Sequence, residues 1–421
     1  MKKYWQLLFG QTAKNSYITV GSNVTHGLLV MLFFAIISRL LGPEKFGLVS
    51  IVFAIFAITF DVFGLGTSQA LIRFVSVSLG RNDKKSAQQY ASAILRLRLL
   101  ESLFLIIVAS IAGRLIAHQI YQTPSLSFPL SIAISAAGGL LLVDFVITLL
   151  QSLEKFLVSA WILLSIVVLR LLMTLWLIYF SQASIVLITT IFVVAPIISA
   201  LMGFVVIRNH LSLARPSKIV VSKLIHFSKW MALWGITASL VGKIDVLLVG
   251  KLTSVFETGI YSAASRLAMG YIIIGGSFAS VLVPKISRVI SKKEELKRQF
   301  ILVSKAVSFI IAGMIVIAFT SNWLIPAIFG NEYLQSIPVF RFLTFALVFF
   351  IGSIPANAIL LSLGHSKWIG LLSLLQLIVL LTTGWSLIPS MGAQGAAFAL
   401  GISYVLAFVL STGYAVRKVF H

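Results

Sequence analysis

The stretch SIVLITTIFVVAPIISALMGFVVI, residues 184–207, runs for 24 residues without a charged side chain. A helix of about 20 apolar residues crosses the roughly 30 Å hydrocarbon core of a bilayer. This stretch therefore reads as one crossing. An open sheet leaves edge groups that hydrocarbon cannot satisfy, so strands are excluded. The same ruler, moved outward, gives spans at 16–40, 46–72, 93–117, 127–150 and 157–180 before it. After it come 224–251, 258–284, 302–325, 337–361, 366–388 and 394–416. The connectors carry helix breakers, among them Gly42-Pro43, Pro124, Asn331 and Gly392. The predicted fold is an all-α polytopic membrane protein with about 12 transmembrane helices.

Composition points the same way. The 421 residues are 59% hydrophobic and 10% charged, with a mean hydropathy of +1.06. A soluble domain is about a quarter charged, so there is too little charge here to cover a water-facing surface. The chain has no cysteine, which excludes disulfides, thiolate metal sites and a cysteine nucleophile. No small-residue cleavage site closes the first hydrophobic run, so the first span is expected to stay in the mature protein.

The net charge of +22 is a topology signal rather than a nucleic-acid footprint. Lys2, Lys3 and Lys14 precede span one, and Arg73, Arg81, Lys84, Lys85, Arg96 and Arg98 follow span two. Lys155 follows span four, Arg208, Arg215, Lys218, Lys223 and Lys229 follow span six, and Lys285, Arg288, Lys292, Lys293, Lys297, Arg298 and Lys305 follow span eight. Lys367, Arg417 and Lys418 complete this side, whereas the opposite loops hold only Arg39, Lys45, Arg114 and Lys251. Such alternation places both termini in the cytoplasm.

The chain also repeats. A shift of 212 residues lays Phe46-Gly47-Leu48-Val49-Ser50 on Thr258-Gly259-Ile260-Tyr261-Ser262, Arg73 on Lys285 and Asp83 on Glu295. Six spans per half is an even number, so both halves enter the membrane in the same orientation. Their pseudo-twofold axis then runs along the membrane normal. The expected lobes are 1–210 and 211–421.

Charges inside spans cost on the order of 3 kcal/mol each and mark function by default. Arg170, Lys243, Arg266, Arg341, Asp61, Asp144 and Asp245 are of this kind, and Glu101 lies near the inner end of span three. By depth Asp245 and Arg266 can pair, as a helix lock or as part of a cleft. Lys243 points nearly opposite to Asp245, and one of the two is expected to face the cleft. Asp61 precedes Gly64, Gly66 and Ser68, small residues that let helices approach. Arg170 is placed to reach Asp144, and Arg341 to snorkel. His26 reads as a proton carrier or a hydrogen-bonded structural residue. No phosphate-binding loop or His-Glu-x-x-His motif occurs, and no outer connector is long enough for a catalytic platform. No enzymatic activity and no metal are expected.

Leu41-Gly42-Pro43-Glu44-Lys45-Phe46-Gly47, followed by Asp61, Gly64, Gly66, Ser68-Gln69-Ala70 and Arg73, resembles the first two spans of bacterial polysaccharide flippases. These are the O-antigen (Wzx-type) translocases of the multidrug/oligosaccharidyl-lipid/polysaccharide exporter superfamily. The likeness continues at Gln151-Ser152-Leu153-Glu154-Lys155-Phe156, at Asp245 with Gly259, Tyr261, Ala264 and Arg266, and at Gly392-Ala393-Gln394-Gly395-Ala396-Ala397. It covers nearly the whole chain.

This resemblance implies a V-shaped pair of six-helix bundles that alternate access around a cationic central cavity. The implied cargo is an undecaprenyl-diphosphate-linked oligosaccharide for O-antigen, capsule or exopolysaccharide synthesis, carried to the outer leaflet of the bacterial cytoplasmic membrane. Spans one, two, seven and eight line the cleft in that superfamily, which nominates Asp61, Lys243, Asp245 and Arg266. Arg170, Arg39 and His26 complete the candidate set. No cofactor is expected, and the energy would come from an ion gradient or the membrane potential. The expected partners are the lipid-linked glycan, membrane lipids, and the polysaccharide polymerase and chain-length machinery, with no nucleic acid. The alternative is a multidrug/cation antiporter of the same superfamily, which calls for an acid-dominated cavity.

Overall fold

The structure is a computed structural model that describes residues 11–420 except 65, 181–183, 212–216, 290–292 and 364. Of the basic positions named above, Lys2, Lys3, Arg215 and Lys292 lie outside the described residues, as do the side chains of Lys218, Lys229, Lys285, Arg288 and Lys293. In chain order the helices are α1 (Gln11–Gly64), α2 (Thr67–Gly80), α3 (Lys84–Leu115), α4 (Ser127–Ser152), α5 (Phe156–Tyr179), α6 (Ile185–Ile207) and α7 (Lys218–Val241). They continue with α8 (Ile244–Leu252), α9 (Val255–Val289), α10 (Lys293–Phe319), α11 (Ser321–Phe329), α12 (Ser336–Gly352), α13 (Ile354–Ser362) and α14 (Ser366–Phe420). Short 3-10 or π turns join some of them, and no strand occurs among the described residues.

Among the described residues, eight helical stretches are long and apolar enough to cross a membrane. Two of these, Tyr17–Gly64 and Lys367–Lys418, run for 48 and 52 residues, more than twice what one crossing needs. Each is bent at a glycine with positive φ: Gly42 at 70° in α1 and Gly392 at 58° in α14. A side chain with a Cβ resists that region, so glycine lets each long helix turn back and supply two crossings. With α7–α8 and α9 covering the predicted seventh and eighth spans, the expected count of about twelve is met.

By internal contacts the chain divides into two units. The first comprises Met1–Phe33 and Val52–Ser239, the second Phe34–Ile51 and Leu240–His421. In the first unit α4 is central, with Val143, Val146 and Leu149 packed against Ile94, Ile162 and Ala200. The outer faces of its helices are apolar and exposed, as at Leu100, Ile107, Ile111, Trp161, Leu201 and Val205. That inverts a soluble protein's pattern and suits a lipid solvent.

The second unit contains the closest backbone approach associated with the repeat. A Cβ on Gly47 would collide with the carbonyl oxygen of Val255, and one on Gly259 with that of Pro43. Pro43 and Val255 are themselves equivalent under the shift of 212 residues. The contact is thus reciprocal, as a twofold relation requires. Hydrocarbon gives helices no hydrophobic drive to associate, so such close packing of small residues holds them.

Around this crossing, the bends leave backbone groups that other residues satisfy. Ser38 lies four residues before Gly42, and its carbonyl accepts from the buried Tyr333 hydroxyl at 2.9 Å. Past the second bend, the Ala393 amide donates to Glu257 Oε2 at 2.8 Å. Replacing Gly47 or Gly259 by Ala is expected to cost at least about 2 kcal/mol, because a backbone must move. Gly21→Ala, which meets nothing within 4 Å, serves as the control. Thermal unfolding of detergent-purified protein reads the difference, and equal melting temperatures for all three would refute the close crossing.

Candidate functional site

Span two is not continuous. α1 ends at Gly64, Gly66 takes φ 63°, and α2 starts at Thr67. A helix end frees its last carbonyls, and hydrocarbon offers them no water. Arg98 of α3 fills the gap. Its Nη1 donates to the Phe63 carbonyl at 2.9 Å and its Nη2 to the Gly64 carbonyl at 3.1 Å. The guanidinium also meets Glu101 at 3.0 Å and Asp144 at 3.5 Å. Ser68 donates to Asp144 and lies 3.5 Å from Arg98 Nη2.

Arg98 is 1% exposed, so it is a buried partner of carbonyls and carboxylates rather than a solvent-facing loop anchor. The available signal was Glu101, three residues on and already placed inside span three. A buried acid one helical turn away calls for a buried cation. Asp144 is likewise not the partner of Arg170. It lies about 12 Å from the α4 end at Ser152, whereas Arg170 lies about 21 Å from the adjoining start of α5 at Phe156. The two levels do not match.

Arg170 is buried and instead lies over the Phe192 ring at 3.8 Å. Its Nε has no hydrogen-bond partner. Phe192 is in turn stacked on Phe53 at 3.9 Å and tilted against Phe33 at 5.4 Å. His26 lies within electrostatic reach of Arg170, so the structure brings these two candidates together. Asp61 accepts from the Ser239 hydroxyl at 2.5 Å, which ties the end of α1 to α7.

In the second unit span seven is also broken. α7 stops at Val241, α8 begins at Ile244, and Lys243 occupies the N-cap. Asp245 sits in the first turn of α8, where an acid favours the helix dipole. Its carboxylate accepts from the Tyr261 hydroxyl at 2.5 Å and from the Val246 amide at 2.8 Å. Its direct partner is Tyr261 rather than Arg266, which the carboxylate reaches electrostatically without a direct ion pair. α9 begins at Val255, three residues before the predicted start, so Arg266 lies about 16 Å deep while Tyr261 lies about 9 Å deep, level with Asp245. Arg266 lies over the Phe34 ring at 3.8 Å and approaches Met269 Sδ at 3.6 Å. Lys243 is within electrostatic reach of Asp245.

Arg39 serves a helix end. It donates to the carbonyls of Ile328 at 2.8 Å, Pro326 at 3.4 Å and Ala327, where the C-terminal dipole of α11 welcomes a cation. Arg341 is bonded to Ser321 at 3.1 Å and Asn322 at 3.0 Å. Among the described residues no cluster of three or more His, Asp or Glu could hold a metal. Two open grooves, of about 560 and 390 Å³, lie on helix faces lined by none of the sequence-selected site residues except, at Arg114, one loop cation.

These features define a polytopic helical membrane protein whose second and seventh spans are interrupted beside embedded charges, a construction found where membrane transporters bind their cargo. The family model described as polysaccharide biosynthesis protein matches residues 36–338, and the chain belongs to that family. It is 26% identical over 183 residues to a capsular polysaccharide biosynthesis protein, CapF, of Staphylococcus aureus. That stretch covers 41% of this chain and 44% of the relative, so the match spans less than half the length of the curated protein.

Among solved structures, an inward-facing multidrug resistance MATE family transporter of the MOP superfamily superposes with a TM-score of 0.81 at 13% identity, over 96% of this chain and 98% of the other. A MOP superfamily transporter from Pyrococcus furiosus gives 0.71 at 15%, over 98% and 97%. An outward-facing multidrug resistance MATE family transporter gives 0.69 at 16%, over 98% and 97%. The fold is therefore shared with these transporters, and the resemblance to polysaccharide flippases drawn from the sequence agrees with the family match.

Tyr261→Phe leaves Oδ2 of the buried Asp245 carboxylate without its hydroxyl donor, with only the Val246 amide remaining on Oδ1. The expected cost is about 1–3 kcal/mol, with much of it recovered in the double variant Tyr261→Phe/Asp245→Asn. Thermal unfolding of the two purified variants checks this, and an unchanged melting temperature for Tyr261→Phe would refute the pairing.

Proposed function

We propose that this chain flips an undecaprenyl-diphosphate-linked oligosaccharide from the cytoplasmic to the outer leaflet of the bacterial cytoplasmic membrane, supplying O-antigen, capsule or exopolysaccharide synthesis. The halves 1–210 and 211–421 act as the alternating lobes, both termini lie in the cytoplasm, and the chain performs no covalent chemistry. The observation that carries the reading is the state of Arg170 and Arg266. Each lies over a phenyl ring at 3.8 Å, and neither makes a direct ion pair with a carboxylate among the described residues, Asp245 reaching Arg266 only electrostatically. An aromatic face steadies a cation without neutralising it. A diphosphate can then take the forked donors of such guanidinium groups as it leaves water.

The acids support the same direction. Asp61, Asp144 and Asp245 each accept a hydrogen bond from a hydroxyl of the chain itself, which makes them poor receptors for cationic drugs. The Pyrococcus furiosus transporter of this fold is described by the reverse polarity of its binding pocket, taken there to suggest a different function. Polarity of the site, more than fold, then selects the cargo.

Vesicles reconstituted with the protein are expected to move a labelled diphosphate-linked glycolipid between leaflets. Lys243→Ala, Arg266→Ala and Arg170→Ala should each slow flipping by about tenfold or more, the equivalent of one charge-assisted contact, with membrane insertion intact. Folded wild-type protein that leaves the cognate lipid in place would sink the proposal. Wild-type rates in all three variants would remove the cationic mechanism.

A further inference from the structure

We propose that the interruption of span two is a cation site whose cation is built into the chain, the guanidinium of Arg98. In membrane transporters, freed carbonyls at the end of a half-helix commonly coordinate the driving ion. Here that end supplies the Phe63 and Gly64 carbonyls, with Ser68 Oγ, Glu101 Oε2 and Asp144 Oδ2 around them. These are five oxygens, two of them from carboxylates, contributed by four helices. An all-oxygen set of this kind is what a hard monovalent cation requires. Every one of the five faces a terminal nitrogen of Arg98, which stands where a free ion would sit.

The guanidinium fills the cage incompletely. Glu101 Oε1 and Arg98 Nε are both buried and have no hydrogen-bond partner. A cage evolved around a planar fork would be expected to pair these too. A tethered cation also cannot exchange with the bath. Whatever drives transport, then, no alkali ion enters or leaves at this interruption. Arg98 is a positioning residue: it fixes the last turn of α1, and with it Asp61 and the Asp61–Ser239 bond.

This inference does not depend on the cargo, so a failed flipping assay leaves it standing. The test uses the purified full-length protein in choline, sodium or guanidinium chloride, each at on the order of 50 mM, far below denaturing concentrations. Wild type is expected to melt at nearly one temperature in all three salts and to bind about one radioactive sodium fewer per chain than Arg98→Ala. Arg98→Ala should melt lower in choline, regain about 5 °C or more in sodium or guanidinium by mass action, and bind about one sodium per chain.

If Arg98→Ala does not fold, Arg98→Gln keeps a donor for one carbonyl and should respond in the same way. Arg98→Lys restores a fixed charge and should lose the sodium response. A wild-type protein as sodium-sensitive as the variants overturns the proposal. So does a folded neutral variant indifferent to both cations, or a lysine variant that still responds to sodium.

Discussion

Hydrocarbon offers no partner to a peptide group, so every interruption of a membrane helix must be met by a side chain. Much of this structure follows from that rule. The end of α1 at Gly64 is held by Arg98, and the bend at Gly42 by Tyr333 on the Ser38 carbonyl. The bend at Gly392 is met by Glu257 on the Ala393 amide, and the end of α11 by Arg39. In each case a costly polar residue inside or beside the membrane has a backbone group as its partner. The embedded charges therefore divide into those that repair the backbone and those that do not. Arg170 and Arg266 belong to the second set, each lying over a phenyl ring instead.

The reciprocal contact of Gly47 with Val255 and Gly259 with Pro43 gives the weak internal repeat a physical reason to persist. Each glycine is held by a carbonyl of the partner helix, so neither can gain a side chain without shifting the other. Reciprocal Cα–H···O approaches of this kind add modestly to dispersion. Phe46 and Tyr333 pack edge to face nearby at 6.2 Å, which seats α1 against the connection between α11 and α12.

The fold was legible because span length and the alternation of basic loops both report on the same solvent. The breakers Gly42-Pro43 and Gly392 were legible too, since only glycine accepts those backbone angles. The local pairings were not. Depth counted from a helix start three residues late makes Arg266 level with Asp245, whereas the structure bonds Asp245 to Tyr261 and leaves Arg266 in electrostatic reach only. Arg98 was read as a loop anchor because the rule of basic loops treats every cation near a boundary alike. Its nearness to Glu101 was visible in the sequence, but the freed carbonyls of Phe63 and Gly64 were not. Periodicity shows where a helix runs and is silent about where it is interrupted, unless a proline marks the place.

The grouping of residues 34–51 with 240–421 has a bearing on how the protein is made. Gly47 and its seat at Val255 are separated by more than 200 residues of chain. At a synthesis rate of about 5–20 residues per second, the first hairpin waits on the order of 10–40 s for the helix that completes it. Through that interval its small-residue face is covered only by lipid or by an insertion chaperone. The nascent chain thus passes through a stage in which the first crossings are inserted but not yet seated, and final assembly is set by the arrival of α9 at the translocon.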